Sequence, residues 1–350
     1  MPQRMSGRVL RLGVVGLSRG FDLTRPTLVA DPRVVVAGAA DPRAEARAAF
    51  ESEFGVAAFD TADALYRSGG LNAVYIATPH ESHAELAIAA ARQGLAVLVE
   101  KPMALSVADC RAMTQAAEAA GVALVVGPSH GFDPPVAAAA DLIASGELGR
   151  PRMVTLTTFT DFLYRPRRPA ELETAQGGGV VFSQAAHQVD VVRRLMDAPV
   201  RSVRATVGAW DPARPTEGAY QAFLTFEGGG SAALTYSGYG RYDTDALMGW
   251  VGETGVAKDP AAYAVARRRL QSVPEEELKA ARAYGTAPGA RPARGPRTFR
   301  PGHCRLRARR PAAHGHRRRG LRSDRASHRR GPGGAGDAAR RDRRALGRRR

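Results

Sequence analysis

The sequence has few cysteines, few lysines and no long apolar run. Its two cysteines, Cys110 and Cys304, are too few and too far apart for a disulfide framework or a zinc site. No stretch of about 18 consecutive apolar residues occurs, so no membrane-spanning helix is expected. The N-terminal segment Met1–Arg8 is short and polar and lacks the apolar core of a secretory signal. These absences predict a cytoplasmic protein.

The basic charge is concentrated at the C-terminal end of the chain. The formal net charge is +17, yet residues 291–350 hold 22 Arg and three acidic residues, a balance of +19. The preceding 290 residues hold 29 basic and 31 acidic residues, a balance of −2. Because the body of the chain is near neutral, a nucleic-acid-binding protein is not predicted.

The segment 291–350 has two interpretations. It lacks Val, Ile, Tyr and Trp, so it cannot bury enough apolar surface to fold and is predicted to be disordered. A nucleic-acid-binding arm is one interpretation, although such arms usually mix Lys with Arg and this segment has no Lys. The preferred hypothesis is a frameshift in GC-rich coding DNA, because Arg, Pro, Ala and Gly all have GC-rich codons. A chain altered in this way would lack its last native strands.

Residues 1–127 are predicted to form a dinucleotide-binding domain of the Rossmann type. Apolar strands alternate with amphipathic helices, as in Val34–Ala40 followed by Pro42–Phe54. Strands separated by helices of this length predict an α/β fold with a doubly wound parallel sheet.

Residues 128–290 follow a different pattern and predict an α+β domain that shapes the substrate site. A helix from about Val180 to Met196 precedes three longer strand patterns, with a turn at Gly228–Gly230. Consecutive strands joined by short turns predict a largely antiparallel sheet. The three strands are Val200–Trp210, Gly218–Phe226 and Ser231–Tyr239.

The first predicted strand runs into a turn that suits a pyrophosphate. A strand that ends at a glycine before a helix lets backbone N–H groups meet phosphate oxygens. The spacing G-x-G-x-x-G would fall on Gly16, Ser18 and Phe21, and only the first glycine is present. The Ser18 hydroxyl and the Arg19 charge are expected to add to phosphate binding. An ordinary strand–turn is the alternative.

Asp41 ends the second predicted strand, about 20 residues after the glycine turn. A carboxylate at this place accepts hydrogen bonds from the ribose hydroxyls and repels a 2′-phosphate, which favours NAD. Arg43 keeps NADP possible. A helix N-cap before Pro42 is the alternative role of Asp41, and the two roles can coexist.

Lysine is scarce, with three residues in the chain, and one of them follows a predicted buried strand. The run Val99-Glu100-Lys101-Pro102 lies at the carboxyl end of that strand, where open α/β sheets bind ligands. An amine there would lie near a nicotinamide, and desolvation can tune it for proton transfer or for polarising an alcohol. A salt bridge from Lys101 to Glu100 or another acid is the alternative.

A histidine follows a glycine run in the second domain. His187 lies on the helix after Gly177–Gly179, four residues after Ser183 and three before Asp190. Residues at these spacings share a helix face, so Asp190 is expected to orient the imidazole. A histidine with a purely structural role is the alternative. His80 and His83 have a spacing found in metal sites, but no third ligand group accompanies them, so no metal is predicted.

These motifs resemble the glucose–fructose oxidoreductase, inositol dehydrogenase and rhizopine-catabolism family (Gfo/Idh/MocA) over roughly residues 9–290. The resemblance rests on four motifs: Gly13–Gly16, Ala77-Thr78-Pro79 followed by His83, Glu100-Lys101-Pro102, and Gly177–Gly179 followed by His187.

The resemblance implies that Lys101 and His187 are catalytic. A family aspartate four residues before the histidine corresponds to Ser183 here, so the catalytic set lacks that acid and Ser183 is expected at the substrate side. The resemblance also implies that Thr78, Pro79 and His83 form part of the edge that holds the nicotinamide ribose. Glu100 and Lys101, at the end of their strand, are likewise expected to contact the cofactor.

A basic loop is the candidate substrate-binding segment. Tyr164-Arg165-Pro166-Arg167-Arg168-Pro169 carries three Arg stiffened by two Pro. Arg pairs with carboxylates through two parallel hydrogen bonds, and Pro lowers the entropy lost on binding. Tyr164, Arg165, Arg167 and Arg168 are therefore expected to contact an anionic substrate. A solvated basic loop is the alternative.

Longer motifs (YRPRRP, GGGVVFSQAAHQVD, WDPARPTEGAY and TYSGYGRYDTD) are similar to the dihydrodiol dehydrogenase branch of the family. That resemblance implies a small anionic, aromatic-derived substrate, phthalate 4,5-cis-dihydrodiol, oxidised to 4,5-dihydroxyphthalate with NAD. A sugar or polyol dehydrogenase is one alternative, and a non-catalytic NAD-binding sensor, suggested by Ser183, is another. Members of the family commonly form homodimers or tetramers, and an altered tail can impair that assembly.

Overall fold

Two sheets organise the residues that the structure describes. The computed structural model describes residues 9–127, 129–252, 257–262, 265–282 and 284. Cys304 and the segment 291–350, interpreted above as disordered or frameshifted, lie outside the described residues. Within the described ranges, no helix combines the length and the apolar character needed to cross a bilayer.

The first sheet has six parallel strands in the order β3-β2-β1-β4-β5-β6. The order reverses between β1 and β4, which leaves a crevice at the carboxyl ends of these strands. This is the doubly wound Rossmann sheet that the sequence predicts. Its elements are β1 Leu10–Val15, α1 Arg19–Ala30, β2 Val34–Ala40, α2 Ala44–Phe54, β3 Ala58–Phe59, α3 Ala62–Arg67, β4 Ala73–Ile76, α4 His83–Arg92, β5 Ala96–Glu100, α5 Val107–Ala120 and β6 Leu124–Gly127.

Local sequence signals set several of these boundaries. Ser106 accepts a hydrogen bond from the backbone N–H of Asp109 and begins α5, and Gly121 ends it in the left-handed conformation that glycine adopts without strain. Strand β4 is buried along its whole length, as a central parallel strand should be. The capping residues and the apolar runs therefore agree with the elements observed.

Tertiary packing extends α1 beyond its local signal. The sequence predicts a helix from Arg25, and the structure begins it at Arg19 in spite of Pro26 within the helix. Phe21 has no exposed surface and packs among the aromatic rings of α2. Burial of this ring outweighs the weak helix propensity of the segment. The two-residue strand β3 was not predicted, because its apolar pattern is too short to distinguish from a loop.

The second sheet has four strands in the order β7-β10-β9-β8. Two of its three pairings are antiparallel, and β7 pairs with β10 in parallel, so the prediction of a largely antiparallel sheet is confirmed. Helix α7 packs on one face through Val192 and Met196, against Leu224 and Leu234. The elements are α6 Pro134–Ala144, β7 Met153–Phe159, α7 Ala186–Met196, β8 Val200–Gly208, β9 Ala219–Phe226, β10 Ser231–Ser237, α8 Val265–Ser272 and α9 Glu275–Ala280.

The chain returns to the first sheet after its second sheet is complete. Tyr284 packs edge-on to Phe21 with 5.2 Å between ring centroids, and its hydroxyl donates to Glu53 at 2.6 Å. The boundary predicted at 127/128 falls between β6 and α6. The predicted extent of the second domain, 128–290, stays a prediction. Tyr284 belongs to the core of the first sheet.

Candidate active site

The turn after β1 has no room for a side chain at Gly16. This residue has φ +89°, and a Cβ there would lie 2.8 Å from Thr78 Cγ2 and 2.9 Å from Ala77 O. Helix α1 begins three residues later, and the positive end of a helix attracts a phosphate. The glycine, the crevice between β1 and β4 and the helix start together fit a dinucleotide.

Ser18 and Arg19 lie where the sequence places them, between Gly16 and α1. The Ser18 hydroxyl donates to Ala77 O at 2.5 Å, so it ties the turn to the end of β4. Arg19 is the first residue of α1. Phosphate binding by these two residues stays a prediction.

Asp41 is buried at the carboxyl end of β2, beside the turn. Its Oδ2 accepts from the backbone N–H of Leu17 at 2.8 Å, and its Oδ1 accepts from the N–H and Nε of Arg43 at 2.9 and 3.0 Å. Arg43 Nη2 also donates to Leu17 O at 2.6 Å. A ribose that binds the Asp41 carboxylate must therefore share it with the Arg43 guanidinium or displace that group.

The buried His83 side chain joins the loops that follow β4 and β5. Its side chain has no exposed surface. Its Nδ1 lies 2.8 Å from Pro102 O and its Nε2 3.1 Å from Thr78 O. Thr78 Oγ1 in turn accepts from the Ser82 hydroxyl at 2.8 Å. His83 thus fixes Thr78 and Pro79 relative to the loop of Lys101, and its assigned place at the cofactor edge stays a prediction.

Glu100 and Lys101 point to different parts of the site. Glu100 Oε1 accepts a hydrogen bond from the Tyr75 hydroxyl at 2.6 Å, and this bond joins the end of β5 to β4. Burial raises the pKa of Tyr75, and the negative charge of Glu100 adds to this effect. Lys101, followed by a cis peptide bond to Pro102, reaches the second sheet's helical layer and donates from Nζ to Ser183 O at 2.9 Å.

His187 is the second residue of α7 and is 8% exposed. Its ring stacks on His130 with 3.9 Å between centroids and 23° between planes. Burial lowers the pKa of His187 to about 2, with the positive charge of Lys101 and then His130 adding to the effect. The imidazole is therefore neutral at physiological pH.

Asp190 does not orient the imidazole through Nδ1. Among the described residues, Nδ1 of His187 is buried without a hydrogen-bond partner. The Asp190 carboxylate instead lies against Gly131, where a Cβ would be 2.2 Å from Oδ2. The sequence spacing places both residues on one helix face, but α7 packs against the turn at Ser129–Phe132, and that contact turns the carboxylate away.

Sequence reasoning did not assign two histidines, which lie beside His187 and Lys101, to the site. His130 precedes α6, and its stacking on His187 joins residues 57 positions apart. His80 lies near Lys101, and burial with that charge lowers its pKa to about 4. A Cβ on Gly177 would lie 3.3 Å from His80 Nδ1, so this ring contacts the glycine run. The position of His80 just after β4 was a usable signal, since the carboxyl end of a parallel strand faces the ligand.

The basic loop does not present three equivalent cations. Arg167 Nη2 donates to Phe162 O at 2.8 Å, and its guanidinium lies 3.7 Å from the Phe162 ring centroid. Arg165 Nε donates to Asp161 at 2.9 Å. Tyr164 is buried, and its hydroxyl donates to Asp211 at 2.6 Å. Each of these three side chains therefore already has a partner within the protein.

Arg168 is placed differently from its neighbours. Its side chain is 39% exposed, and its Nη1 lies 3.5 Å from Glu81, which follows His80 on the loop after β4. Its Nε lies 3.5 Å from Glu171, whose charge also acts on His80. Arg168 thus contacts the first domain on the loop that also carries His80. Both of its side-chain contacts with acids are long, at 3.5 Å.

Two family profiles match the chain in sequence order. The oxidoreductase family with an NAD-binding Rossmann fold (GFO_IDH_MocA) matches residues 10–128, and the GFO/IDH/MocA C-terminal domain matches residues 136–258. The first profile spans all strands of the first sheet, and the second profile spans all strands of the second sheet.

Individual relatives agree with the profiles. The 1-carboxy-3-chloro-3,4-dihydroxycyclohexa-1,5-diene dehydrogenase of Comamonas testosteroni is 45% identical over 273 residues, which cover 78% of this chain and 69% of the relative. A crystal structure described as a dehydrogenase from Bordetella bronchiseptica RB50 has a TM-score of 0.77 and 39% identity, over 79% of this chain and 74% of that one. GenD2 from gentamicin A biosynthesis, in complex with NAD, has a TM-score of 0.60 and 26% identity, over 66% of each chain. The chain therefore belongs to the Gfo/Idh/MocA oxidoreductase family and is an NAD-binding dehydrogenase.

Proposed function

We propose that this enzyme oxidises a carboxylated cyclohexadiene cis-diol with NAD, and that phthalate 4,5-cis-dihydrodiol is such a substrate. One observation carries the proposal: the Lys101 amine of the first domain binds Ser183 O, one helical turn before His187 in the second. This contact supports an active site in which the Lys101 amine and the neutral His187 imidazole act on the same substrate. The relative from Comamonas testosteroni, whose name describes a carboxylated dihydroxycyclohexadiene, supports the substrate class.

The chain's own groups supply the proton chemistry. Lys101 Nζ donates a hydrogen bond to the substrate oxygen and stabilises the negative charge that develops there. His187, held neutral, accepts the hydroxyl proton. NAD, held beside Gly16 and Asp41, would supply the acceptor for the hydride of the carbinol carbon. The resulting enone tautomerises to a catechol, and aromatisation drives the oxidation forward.

A substrate carboxylate has two functions in this proposal. Arg168, exposed between Glu81 and Glu171, can exchange its long acid contacts for a bidentate pair with that group. The added negative charge also favours the protonated form of the nearby imidazoles, because an opposite charge stabilises the charged form. Substrate binding thus makes His187 a better base than it is in the empty site.

The test measures NADH formation spectroscopically with four compounds: phthalate 4,5-cis-dihydrodiol, a benzoate-derived monocarboxylated cis-diol, the cis-diol of benzene, and myo-inositol. We expect turnover of the carboxylated diols, a much higher KM for the benzene diol, and no turnover of myo-inositol. Turnover of myo-inositol without any dihydrodiol activity would establish a polyol dehydrogenase instead. Tight NAD binding without hydride transfer from any compound would indicate a sensor.

A further inference from the structure

A buried carboxylate lies behind the segment that leads into α7. Glu217 is 5% exposed and lies two residues before the start of β9. Its Oε2 accepts hydrogen bonds from the hydroxyls of Thr174 and Thr216, and its Oε1 accepts from the backbone N–H of Val181 at 3.1 Å. A buried carboxylate without such donors is strongly destabilising, so this set of donors holds it in one place.

The glycine run lies directly on this carboxylate. Gly179 has φ +79°, and a Cβ at this position would lie 2.2 Å from Glu217 Oε1. The backbone carbonyl of Glu217 accepts from the N–H of Val180 at 3.1 Å. Glycine is therefore required at 179 both for the left-handed backbone and for the approach of Glu217.

The held segment carries the carbonyl that accepts from Lys101, and it leads directly to His187. Val181 begins a π-helical turn, Val181–Ala185, a form of helix that is often found at functional sites. Ser183 within this turn presents its carbonyl to Lys101. Helix α7 follows directly and carries His187 at its second position. A shift of the turn would displace the Lys101 acceptor and the His187 ring together.

We propose that Glu217 is a positioning residue, which anchors the start of the π-helical turn and so keeps Lys101 and His187 in register with each other. The proposal rests on the proposed function for the identity of the reaction. The position of the His187 ring, however, can be tested without any substrate, because its stacking on His130 gives an NMR signature through ring-current shifts.

The experiment compares Glu217→Ala with Glu217→Gln, and Glu227→Gln at an exposed turn is the matched control. In Glu217→Ala, kcat should fall about 100-fold while the NAD Kd changes less than about threefold, since misplacement of reacting groups slows the chemical step. The His130 and His187 ring signals, assigned with His130→Gln and His187→Gln, should move.

Glu217→Gln should restore most of the activity, to within about fivefold of the native kcat. Its amide oxygen can accept from the Val181 N–H, and the Thr174 and Thr216 hydroxyls can rotate to accept from its N–H groups. The histidine signals should stay at their native positions in this variant and in the Glu227→Gln control.

Native kcat and native histidine signals in Glu217→Ala would overturn the proposal. So would a Glu217→Gln variant as slow as Glu217→Ala with unmoved histidine signals, because that result assigns the charge a chemical role. If Glu217→Ala does not fold, Thr174→Val removes one donor, and unchanged kcat and signals there would equally overturn it. Failure of the native enzyme to oxidise any dihydrodiol would refute the proposed function, and the histidine signals would still decide the positioning role.

Discussion

The Lys101 side chain extends from the end of β5 to the carbonyl oxygen of Ser183, with 2.9 Å between Nζ and O, across 82 residues of sequence. This contact places the amine one helical turn from the His187 ring and beside the loop of His80. The chemistry proposed above depends on this contact between the first sheet and the helix of the second.

Removal of the amine should abolish most of the activity. Lys101→Ala should lower kcat by about 100-fold or more, because a positioned proton donor typically contributes this much. NAD affinity, measured by fluorescence titration, should fall much less than kcat, because the phosphate turn at Gly16 and the ribose acceptor Asp41 are unchanged. Arg111→Ala, at an exposed position of α5, is a matched loss of one positive charge and should leave kcat at its native value.

The Asp41–Arg43 pair should set the cofactor preference. Asp41→Ala removes the acceptor of the ribose hydroxyls and frees the Arg43 guanidinium for a 2′-phosphate. We expect the KM for NAD to rise about tenfold or more and the KM for NADP to fall, as measured with the same diol at saturation. An unchanged ratio of the two KM values would show that Asp41 does not meet the ribose.

Arg168 and Arg167 should respond differently to the same substitution. Arg168→Ala should raise the KM for a carboxylated diol about tenfold or more, with a smaller effect on kcat, because it removes a binding contact. The KM for the benzene diol should not change. An unchanged KM for the carboxylated diol would contradict the carboxylate contact.

Arg167→Ala should instead lower the Tm, because its guanidinium packs on the Phe162 ring and donates to Phe162 O. Its backbone N–H also donates to Glu275 at 2.6 Å, which ties the loop to α9. Differential scanning calorimetry of the two variants checks the contrast. A native Tm in Arg167→Ala would show that the buried guanidinium contributes little to stability.

The neutral His187 should make the enzyme less stable in acid. Its pKa is about 2 in the folded chain against an ordinary value of 6.5, so between these values the unfolded chain binds the additional proton. The free energy of unfolding should therefore fall as the pH falls below 6.5, by up to about 1.4 kcal/mol per pH unit from this group. His187→Gln should flatten this slope, as measured by urea unfolding at about pH 7, 6 and 5. An unchanged slope would show that the imidazole titrates normally.

Local pattern was sufficient for the framework of the first domain. The alternation of apolar strands with helices predicts the parallel sheet, and the carboxyl ends of parallel strands converge, so Gly16, Asp41 and Lys101 could be placed on one edge from sequence. The place of His187 came from its glycine run and its family motif. The ends of α5 at Ser106 and Gly121 could also be predicted from sequence, because capping residues act on the backbone groups next to them.

Tertiary structure alone decided which of these groups meet and which face away. Sequence puts Asp190 on the face of His187, but packing against Gly131 directs its carboxylate elsewhere, and His130 takes the place beside the ring. Arg167 and Arg168 are identical neighbours in sequence, yet the guanidinium of Arg167 packs on Phe162 whereas that of Arg168 lies by Glu81 on the loop after β4. Periodicity fixes only the face of an element, whereas burial, partner charges and pKa values depend on distant elements that the chain brings together when it folds.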